Sequence, residues 1–421
     1  MSFVYAGQYT LSGIKKFCYS SGQATYRCLF AYIYLLIFLG VNSPVFAQTN
    51  NQPYNLLIGP VTLRADAGMT VNYNDNINSA QTGRRNDWIV EPDVNFHGLW
   101  QATDLNTLTI DMGVGYQRYL IHPQYSAPVI SPNSQALYKI FVGDFRITLQ
   151  DSLSYQTNPT AVGQLSNIVQ FRRFLNTAAV GVDWDIGDLT ATLAYNHTNF
   201  WVFEPAYSYL DYQSDAVSPQ VALQLSKAMQ VGFTVSLGST RYDQTVQNNY
   251  TQLMAEPFIM YQISEYLSIR AQAGWELNNY ANGGTNGGTN GDTSNTDSFV
   301  GNFGITHRVN DALTESLTGG REFLPGITSN YTDRIFVNYT PAWHATSRFD
   351  IAPQLWWERL QDSSATVSEL STRFGVNMTI GLKLTEHSTV NLSYNYVRKI
   401  SNLNSMCYYQ DVAGMQFSYQ F

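Results

Sequence analysis

The sequence predicts an all-β protein: a transmembrane antiparallel up-and-down β-barrel of about 18 strands, with short periplasmic turns and longer extracellular loops. Three observations indicate this class. The N-terminus has the pattern of a secretory leader, apolar and polar residues alternate with a period of two, and short connections alternate with long ones. Charged residues are 13% of the chain, against roughly 25% in ordinary soluble domains, which favours a membrane barrel over a secreted β-sandwich or β-helix.

The N-terminal segment has the three zones of a secretory signal peptide. Basic residues, among them Lys15 and Arg27, precede an apolar run over 28–41, and Val45-Phe46-Ala47 places small residues at the two positions that signal peptidase reads. The apolar run has about 14 residues, too few for a permanent membrane helix, which needs roughly 20; an N-terminal anchor is the alternative. The predicted divisions are a leader over 1–47 that is cleaved after Ala47, a periplasmic segment over 48–59 and a barrel over 60–421.

Alternating residues define the strands. From Val61 to Tyr73 every odd residue is apolar, and the residues between them are polar or glycine. Successive side chains of a strand point to opposite faces, so this segment has one apolar and one polar face. The pattern recurs in segments of about nine to fourteen residues, the length of a tilted membrane strand. Clear later copies are 108–116, 189–195, 231–237, 267–275, 374–382 and 390–396.

Connections between the strand candidates alternate strictly between short and long. Eight short and nine long connections give 18 strands, and an even number with both ends in the periplasm is what a single-chain barrel requires. Sixteen strands is the alternative count. The segment 137–155 is divided at Gly143-Asp144, because a two-residue hairpin turn there preserves the alternation. The predicted long connections include 121–135, 156–172 and 401–406.

The last strand candidate ends in an aromatic carboxylate. Alternate residues toward this end form a predicted assembly signal: Tyr409, Met415, Phe417, Tyr419 and Phe421. The pattern is similar to the signal that barrel-assembly machinery reads in outer-membrane proteins. The motifs Ser393-Tyr394-Asn395-Tyr396, Tyr408-Tyr409-Gln410-Asp411 and Phe417-Ser418-Tyr419-Gln420-Phe421 resemble the outer-membrane β-barrel porin 2 family. The resemblance implies an outer-membrane barrel, and some members of that family are associated with exopolysaccharide production.

Charged residues on the polar strand faces form the predicted wall of the lumen. The lumen-lining candidates are Arg64, Asp66, Glu91, Asp93, Asp111, Arg146, Asp183, Glu256, Arg270, Glu276, Arg334, Arg348, Asp350, Glu358 and Arg373. A barrel of this size encloses water unless a segment plugs it, and charged groups across a lumen select solutes. Alternatively, the charges only solvate the wall and pair with one another. Glu256, Arg270, Arg348 and Asp350 are expected to face open water.

Two acidic residues disagree with this simple scheme. Asp151 and Glu315 fall on the apolar faces of their strands. Their positions indicate either a site near a membrane interface, where a charge costs little, or a local error in the predicted register.

Enzyme chemistry has weak support in the sequence. The six histidines lie at no metal-ligand spacing and no Gly-x-Ser-x-Gly motif occurs, so we predict no catalytic residues, no metal and no cofactor. His197, near an extracellular edge, is the best candidate for a barrel-embedded lipid enzyme, which would need a serine beside it. The net charge of −8 argues against nucleic acid as a partner.

These observations predict a protein of the outer membrane of a Gram-negative-type bacterium. Its expected partners are outer-membrane lipids, the barrel-assembly machinery and small hydrophilic solutes, while the oligomeric state stays open. We expect a porin-like channel that allows passive diffusion of small hydrophilic solutes through a polar lumen. The alternatives are a structural or accessory barrel in surface or exopolysaccharide export and, less favoured, a barrel-embedded lipid enzyme.

Overall fold

The computed structural model of the protein describes residues 56–281, 283–285, 291–363 and 368–421. The predicted leader and most of the predicted periplasmic segment lie outside these residues. The strands are β1 Leu56–Ile58, β2 Val61–Asn74, β3 Asp87–Gln101, β4 Thr107–Tyr119, β5 Ala127–Val142, β6 Phe145–Gln156, β7 Arg173–Ile186, β8 Leu189–Val202, β9 Tyr212–Ser226, β10 Met229–Tyr242, β11 Tyr250–Gln262, β12 Leu267–Tyr280, β13 Thr296–Arg308, β14 Leu313–Pro325, β15 Tyr331–Thr346, β16 Phe349–Asp362, β17 Leu370–Lys383, β18 Ser388–Ser401 and β19 Tyr408–Gln420. Short 3-10 helices lie at Pro123–Tyr125, Pro159–Ala161, Pro205–Leu210 and Asn404–Met406. Across the described ranges, no helix has the length and apolar character needed to cross a membrane.

The strands β2 to β19 close into a barrel of 18 strands. Each strand pairs antiparallel with the next, and β19 pairs with β2 from Val412 opposite Asn74 to Gln420 opposite Asp66. The predicted class and strand count are confirmed. Because the sheet closes on itself, its backbone groups pair within the wall, as a membrane environment requires.

The short strand β1 completes the seam of the barrel. A turn at Gly59, whose φ is 58°, folds β1 back onto β2, so that Ile58 lies opposite Val61 and Leu56 opposite Leu63. The ladder from β19 stops at Asp66, and Phe421 N then donates to Ala65 O at 3.1 Å. β1 therefore pairs with the part of the β2 edge that β19 does not reach.

The connections keep the predicted alternation of short and long. The two-residue turn at Gly143-Asp144 separates β5 from β6 as predicted, and Gly143 has a φ of 58°, a conformation that costs residues with a Cβ about 1 kcal/mol or more. At the opposite end the connections are longer, and the longest continuous one joins β6 to β7 over 157–172.

One predicted loop is partly wrong. The connection expected over 121–135 ends earlier, because β5 already begins at Ala127. The pairing of β5 with β6 is irregular between Ile130 and Ser134, around Pro132, which has no backbone N–H to donate. The bulge interrupts the period of two, so this part of β5 has the sequence pattern of a loop.

The two faces of the wall differ as the alternation predicts. Large apolar side chains on the outer face are exposed, among them Trp88 and Trp100 near opposite ends of β3. At about 3.3 Å per residue and a 45° tilt these two rings lie roughly 28 Å apart along the barrel axis, close to the height of a membrane apolar band. Stacked pairs near each end, Phe145 with Trp184 and Phe174 with Trp201, extend these aromatic belts.

Asp151 and Glu315 lie on the outer face, so the predicted register of their strands is correct. Asn176 donates to the Asp151 carboxylate at 2.5 Å, and the hydroxyl of Tyr339 donates to Glu315 Oε1 at 2.8 Å. Hydrogen bonds of this kind lower the cost of holding a carboxylate on a lipid-facing surface.

Candidate functional site

Most predicted lumen residues lie on the strand face opposite the exposed apolar side chains. Arg348 differs, because it lies in the turn between β15 and β16 rather than in a strand. On β2, β3 and β4 the predicted charges join through His97. Its ring nitrogens lie 3.1 Å from Asp66 Oδ2 and 2.7 Å from Asp111 Oδ1, and Arg64 Nη2 lies 3.0 Å from Asp66. The wall charges here pair with one another.

Similar pairing occurs elsewhere along the wall. Arg146 Nη2 lies 2.8 Å from Asp183 Oδ2, and the imidazole of His344 lies 2.6 Å from Asp350. Arg270 is exposed on the inner face, and Asp350 is partly exposed.

Burial of lumen-facing glutamates on β11 and β12 was not predicted from the sequence. Glu256 and Glu276 are each 4% exposed. Gln272 donates to Glu256 at 3.1 Å, and Gln252 donates to Glu276 at 2.8 Å. The expectation that Glu256 faces open water is wrong, because the residue is buried and the amide of Gln272 on β12 lies against its carboxylate.

The connection 157–172, here called the crossing loop, folds into the lumen and reaches the opposite wall. It begins at β6, yet Gln164 Nε2 donates at 3.1 Å to Thr332 Oγ1 on β15, nine strands along the 18-strand wall. Lys399 Nζ on β18 donates to Gln164 O at 3.1 Å, and Arg373 Nη2 on β17 donates to Thr160 O at 2.7 Å. These bonds fasten the middle of the loop across the barrel.

Apolar residues give the crossing loop a core of its own. Leu165 and Phe171, the latter 1% exposed, pack with Val202 and with Leu210 of the connection after β8. Phe200, Tyr207 and Ile327 cover this cluster. Both apolar packing and hydrogen bonds therefore hold the crossing loop in place.

Other connections at the same end of the barrel pack against the crossing loop. Val169 joins Ile77 and Tyr119 in a second apolar cluster. Asn167 N donates to Ser79 O at 3.1 Å, and Ser166 Oγ donates to Met406 O at 2.9 Å. The extracellular end of the lumen is thus narrowed by several connections together.

Asp87 holds one of these connections in place. Its carboxylate has no exposed surface and accepts hydrogen bonds from the backbone nitrogens of Leu120, Ile121 and His122 at 3.0, 2.9 and 2.8 Å. Replacing Asp87 by alanine is expected to lower the free energy of unfolding by about 3 kcal/mol, because three backbone N–H groups lose a charged acceptor that has no exposed surface. Urea titration of the protein in lipid vesicles measures this loss. Asp87→Asn keeps one acceptor oxygen and should lose less; equal stability of Asp87→Ala and wild type would contradict the assignment.

Charges of alternating sign line the wall where the crossing loop meets it. Glu322, Arg334, Glu358 and Arg373 follow one another on β14 to β17 and are here called the charge row. Arg334 donates to Glu322 Oε1 at 2.6 Å and to Glu358 Oε2 at 2.7 Å, and Arg373 donates to Glu358 Oε1 at 2.6 Å. Lys399, beside Arg373 on β18, pairs with Glu369 Oε1 at 3.0 Å.

A cavity of about 360 Å³ lies between the crossing loop and this wall. Arg173, Arg334 and Arg373 line it together with Glu358, and Phe171 is among its apolar walls. An alternating row of guanidinium and carboxylate groups can exchange hydrogen bonds with polar solutes, and the separate positive and negative groups can interact with ions that pass.

Some residues of this site are among those predicted from the sequence to line the lumen. Arg334, Glu358 and Arg373 were among the predicted lumen residues, whereas Lys399, Glu369, Glu322 and Arg173 were not. Carrying the alternation through β18 would have placed Lys399 on the inner face, opposite the exposed Leu392 and Tyr394.

The lipid-enzyme hypothesis depends on whether a serine lies beside His197. His197 lies on the outer face, with Nδ1 2.8 Å from Asp215 Oδ1, and the hydroxyl of Tyr195 donates to the same oxygen. The serine in register, Ser239, lies beyond Asp215 on β10. In the part of the chain that the structure describes, no hydrogen bond joins His197 to a serine.

Comparisons with known proteins find likeness in fold alone. No family model matches the sequence, and no curated protein matches it. Among solved structures, the outer membrane protein OpdK from Pseudomonas aeruginosa aligns with 85% of this chain and 98% of its own, at 10% identity and a TM-score of 0.47. OccAB3 from Acinetobacter baumannii covers 85% and 99% at 10% identity and a TM-score of 0.46. The alcaligin outer membrane receptor FauA from Bordetella pertussis covers 85% and 76% at 9% identity and a TM-score of 0.40.

Proposed function

We propose that the protein is an outer-membrane channel through which small hydrophilic solutes diffuse passively, along a polar lumen narrowed by the crossing loop. The observation that carries this proposal is the fastening of the loop to β15, β17 and β18, on the wall opposite its own strands. An apolar outer face and a charged inner face are what a water-filled barrel in a membrane requires.

The charge row supports a role as a filter. Guanidinium and carboxylate groups of the charge row line the cavity beside the crossing loop, and Arg373 donates to the loop carbonyl of Thr160 at 2.7 Å. Solutes that pass here exchange water for these groups, so both size and charge affect their rate. The export alternative would require the loop to leave the wall, because a polymer is wider and longer than a single hydrated solute.

Assembly into the membrane is part of the same proposal. Met415, Phe417, Tyr419 and Phe421 expose their side chains on the outer face at the seam, where β19 meets β2. This position supports recognition of the C-terminal strand by barrel-assembly machinery before the seam closes. The predicted leader would deliver the chain to the periplasm.

Flux into proteoliposomes tests the channel. The full-length protein, refolded into phosphatidylcholine vesicles, is expected to admit arabinose and glucose quickly and raffinose slowly, as measured by light scattering during vesicle swelling. The size dependence follows from the narrowed lumen. Vesicles without protein and vesicles with heat-denatured protein are the controls. Folded protein that admits none of these sugars and no KCl would overturn the proposal.

A further inference from the structure

Among the described residues of the outer face, acidic residues have hydrogen-bond partners within the protein, whereas most basic residues do not. In the described strands, each acidic residue on this face has a neighbour bonded to its carboxylate. The pairs are Asp151 with Asn176, Asp215 with His197, Asp297 with Trp275, Glu315 with Tyr339, Asp333 with Arg321 and Asp411 with Tyr394. These acids are satisfied within the protein.

Arginines on the same face are mostly not satisfied. Arg118, Arg241, Arg359 and Arg398 are exposed and, among the described residues, have no side-chain hydrogen bond or ion pair. They lie in the last four residues of β4, β10, β16 and β18, at the extracellular ends of these strands. In the described strands, all outward-facing Lys and Arg residues lie in the extracellular half of the barrel. This uneven distribution of basic residues indicates contact with the outer leaflet rather than with water in general.

Two of these arginines are neighbours. Arg359 lies opposite Thr372 on β17, and Arg398 lies opposite Phe374 on the same strand. With strands about 4.8 Å apart and a rise of 3.3 Å per residue, their Cα atoms are roughly 12 Å apart. Two strands to the other side of Arg359, Arg321 is already held by both oxygens of Asp333 at 3.0 and 2.9 Å. Arg359 and Arg398 are therefore two neighbouring guanidinium groups without an acidic partner in the described part of the chain, and they lie near Arg321, which is already paired with Asp333.

Aromatic rings lie next to Arg359 and Arg398 on the side toward the centre of the membrane. Trp357 is exposed two residues before Arg359 on the same face of β16, and Tyr394 is exposed four residues before Arg398 on β18. Such rings lie at the boundary between acyl chains and headgroups. The two guanidinium groups are therefore level with lipid headgroups, where phosphate is the anion whose geometry they match.

We propose that Arg359 and Arg398 bind the phosphate groups of an anionic lipid in the outer leaflet, with its acyl chains against Trp357 and Tyr394. The inference rests on the proposed membrane location but not on the channel activity. Anionic headgroups are attracted in general to arginines at a membrane surface. Because Arg359 and Arg398 are neighbours, they can bind one lipid together.

Native mass spectrometry of the full-length protein in detergent tests the site. The probes are lipid A carrying two phosphates, the same lipid A after enzymatic removal of its phosphates, and inorganic phosphate. We expect the wild type to bind the phosphorylated lipid at least tenfold more tightly than the dephosphorylated one, and R359Q/R398Q to lose that difference. R359K/R398K should recover part of it, because the charge remains while the planar fork is lost.

Arg118→Gln is the matched control, since it removes one isolated outward-facing arginine at the same end of the barrel. It should keep most of the difference between the two lipids. Unchanged lipid binding by R359Q/R398Q would overturn the proposal, as would inorganic phosphate competing as well as the lipid. Sugar flux by the double variant shows that the barrel is intact, so loss of the lipid site and failure of the channel are distinguishable.

Discussion

Replacing Lys399 by methionine is expected to lower the free energy of unfolding by about 3 kcal/mol, because a buried carboxylate loses its counter-charge. The ammonium group of Lys399 has no exposed surface and lies 3.0 Å from Glu369 Oε1. It also donates to Gln164 O at 3.1 Å, so the same change detaches the crossing loop from β18. Urea titration in lipid vesicles measures the stability, and trypsin cleavage after Arg172 measures release of the loop.

A double-mutant cycle separates the ion pair from the packing. Glu369→Gln removes the carboxylate and leaves the ammonium with the carbonyl of Gln164. The combined variant K399M/E369Q is expected to be more stable than K399M alone, because no uncompensated charge remains in the interior. Equal stabilities for K399M and wild type, with the loop still protected from trypsin, would contradict the role given to this pair.

Removing the crossing loop is expected to have the largest effect on permeation. Gln156 and Arg173 lie opposite each other at the ends of β6 and β7, so the dipeptide Asn-Gly can replace 157–172 in a tight hairpin. The variant should fold and admit raffinose about as quickly as the wild type admits glucose, because the segment that spans the lumen is gone. Vesicle swelling with the same sugars measures the change.

A second shortened connection is the control for this experiment. Residues 243–249 join β10 to β11, and Gln247 within them donates to Ile327 O at 2.7 Å in a nearby connection. Shortening 243–249 should leave the sugar cut-off close to that of the wild type. A crossing-loop variant with an unchanged cut-off would show that the narrowest part of the lumen lies elsewhere.

The fold could be predicted from sequence because its determinants are local. Side chains of a strand alternate between lipid and lumen, so the strand pattern is visible within ten residues. The split at Gly143-Asp144 followed from the alternation of connections. The start of β5 at Ala127 could not be predicted, because the bulge around Pro132 breaks the period on which the prediction depends.

For the candidate site, the sequence predicted only which residues lie on the inner face of the wall. Alternation placed Arg334, Glu358 and Arg373 inside, yet it says nothing about what lies across the lumen from them. Gln164 is separated from Thr332 by 168 residues and from Lys399 by 235. Contacts at this distance depend on closure of the whole barrel, so the crossing loop looked like any other extracellular connection. Burial of Glu256 by Gln272 was hidden for the same reason, since it depends on the register between β11 and β12.

Single-channel current through the unmodified protein tests the central claim most directly. In planar bilayers bathed in KCl, the wild type is expected to give discrete, steady openings, and the crossing-loop deletion should give openings of larger conductance. Discrete openings that grow when the loop is removed are what a polar lumen narrowed by 157–172 predicts. Folded, inserted wild-type protein that gives no openings, or a deletion variant whose conductance equals that of the wild type, would contradict it.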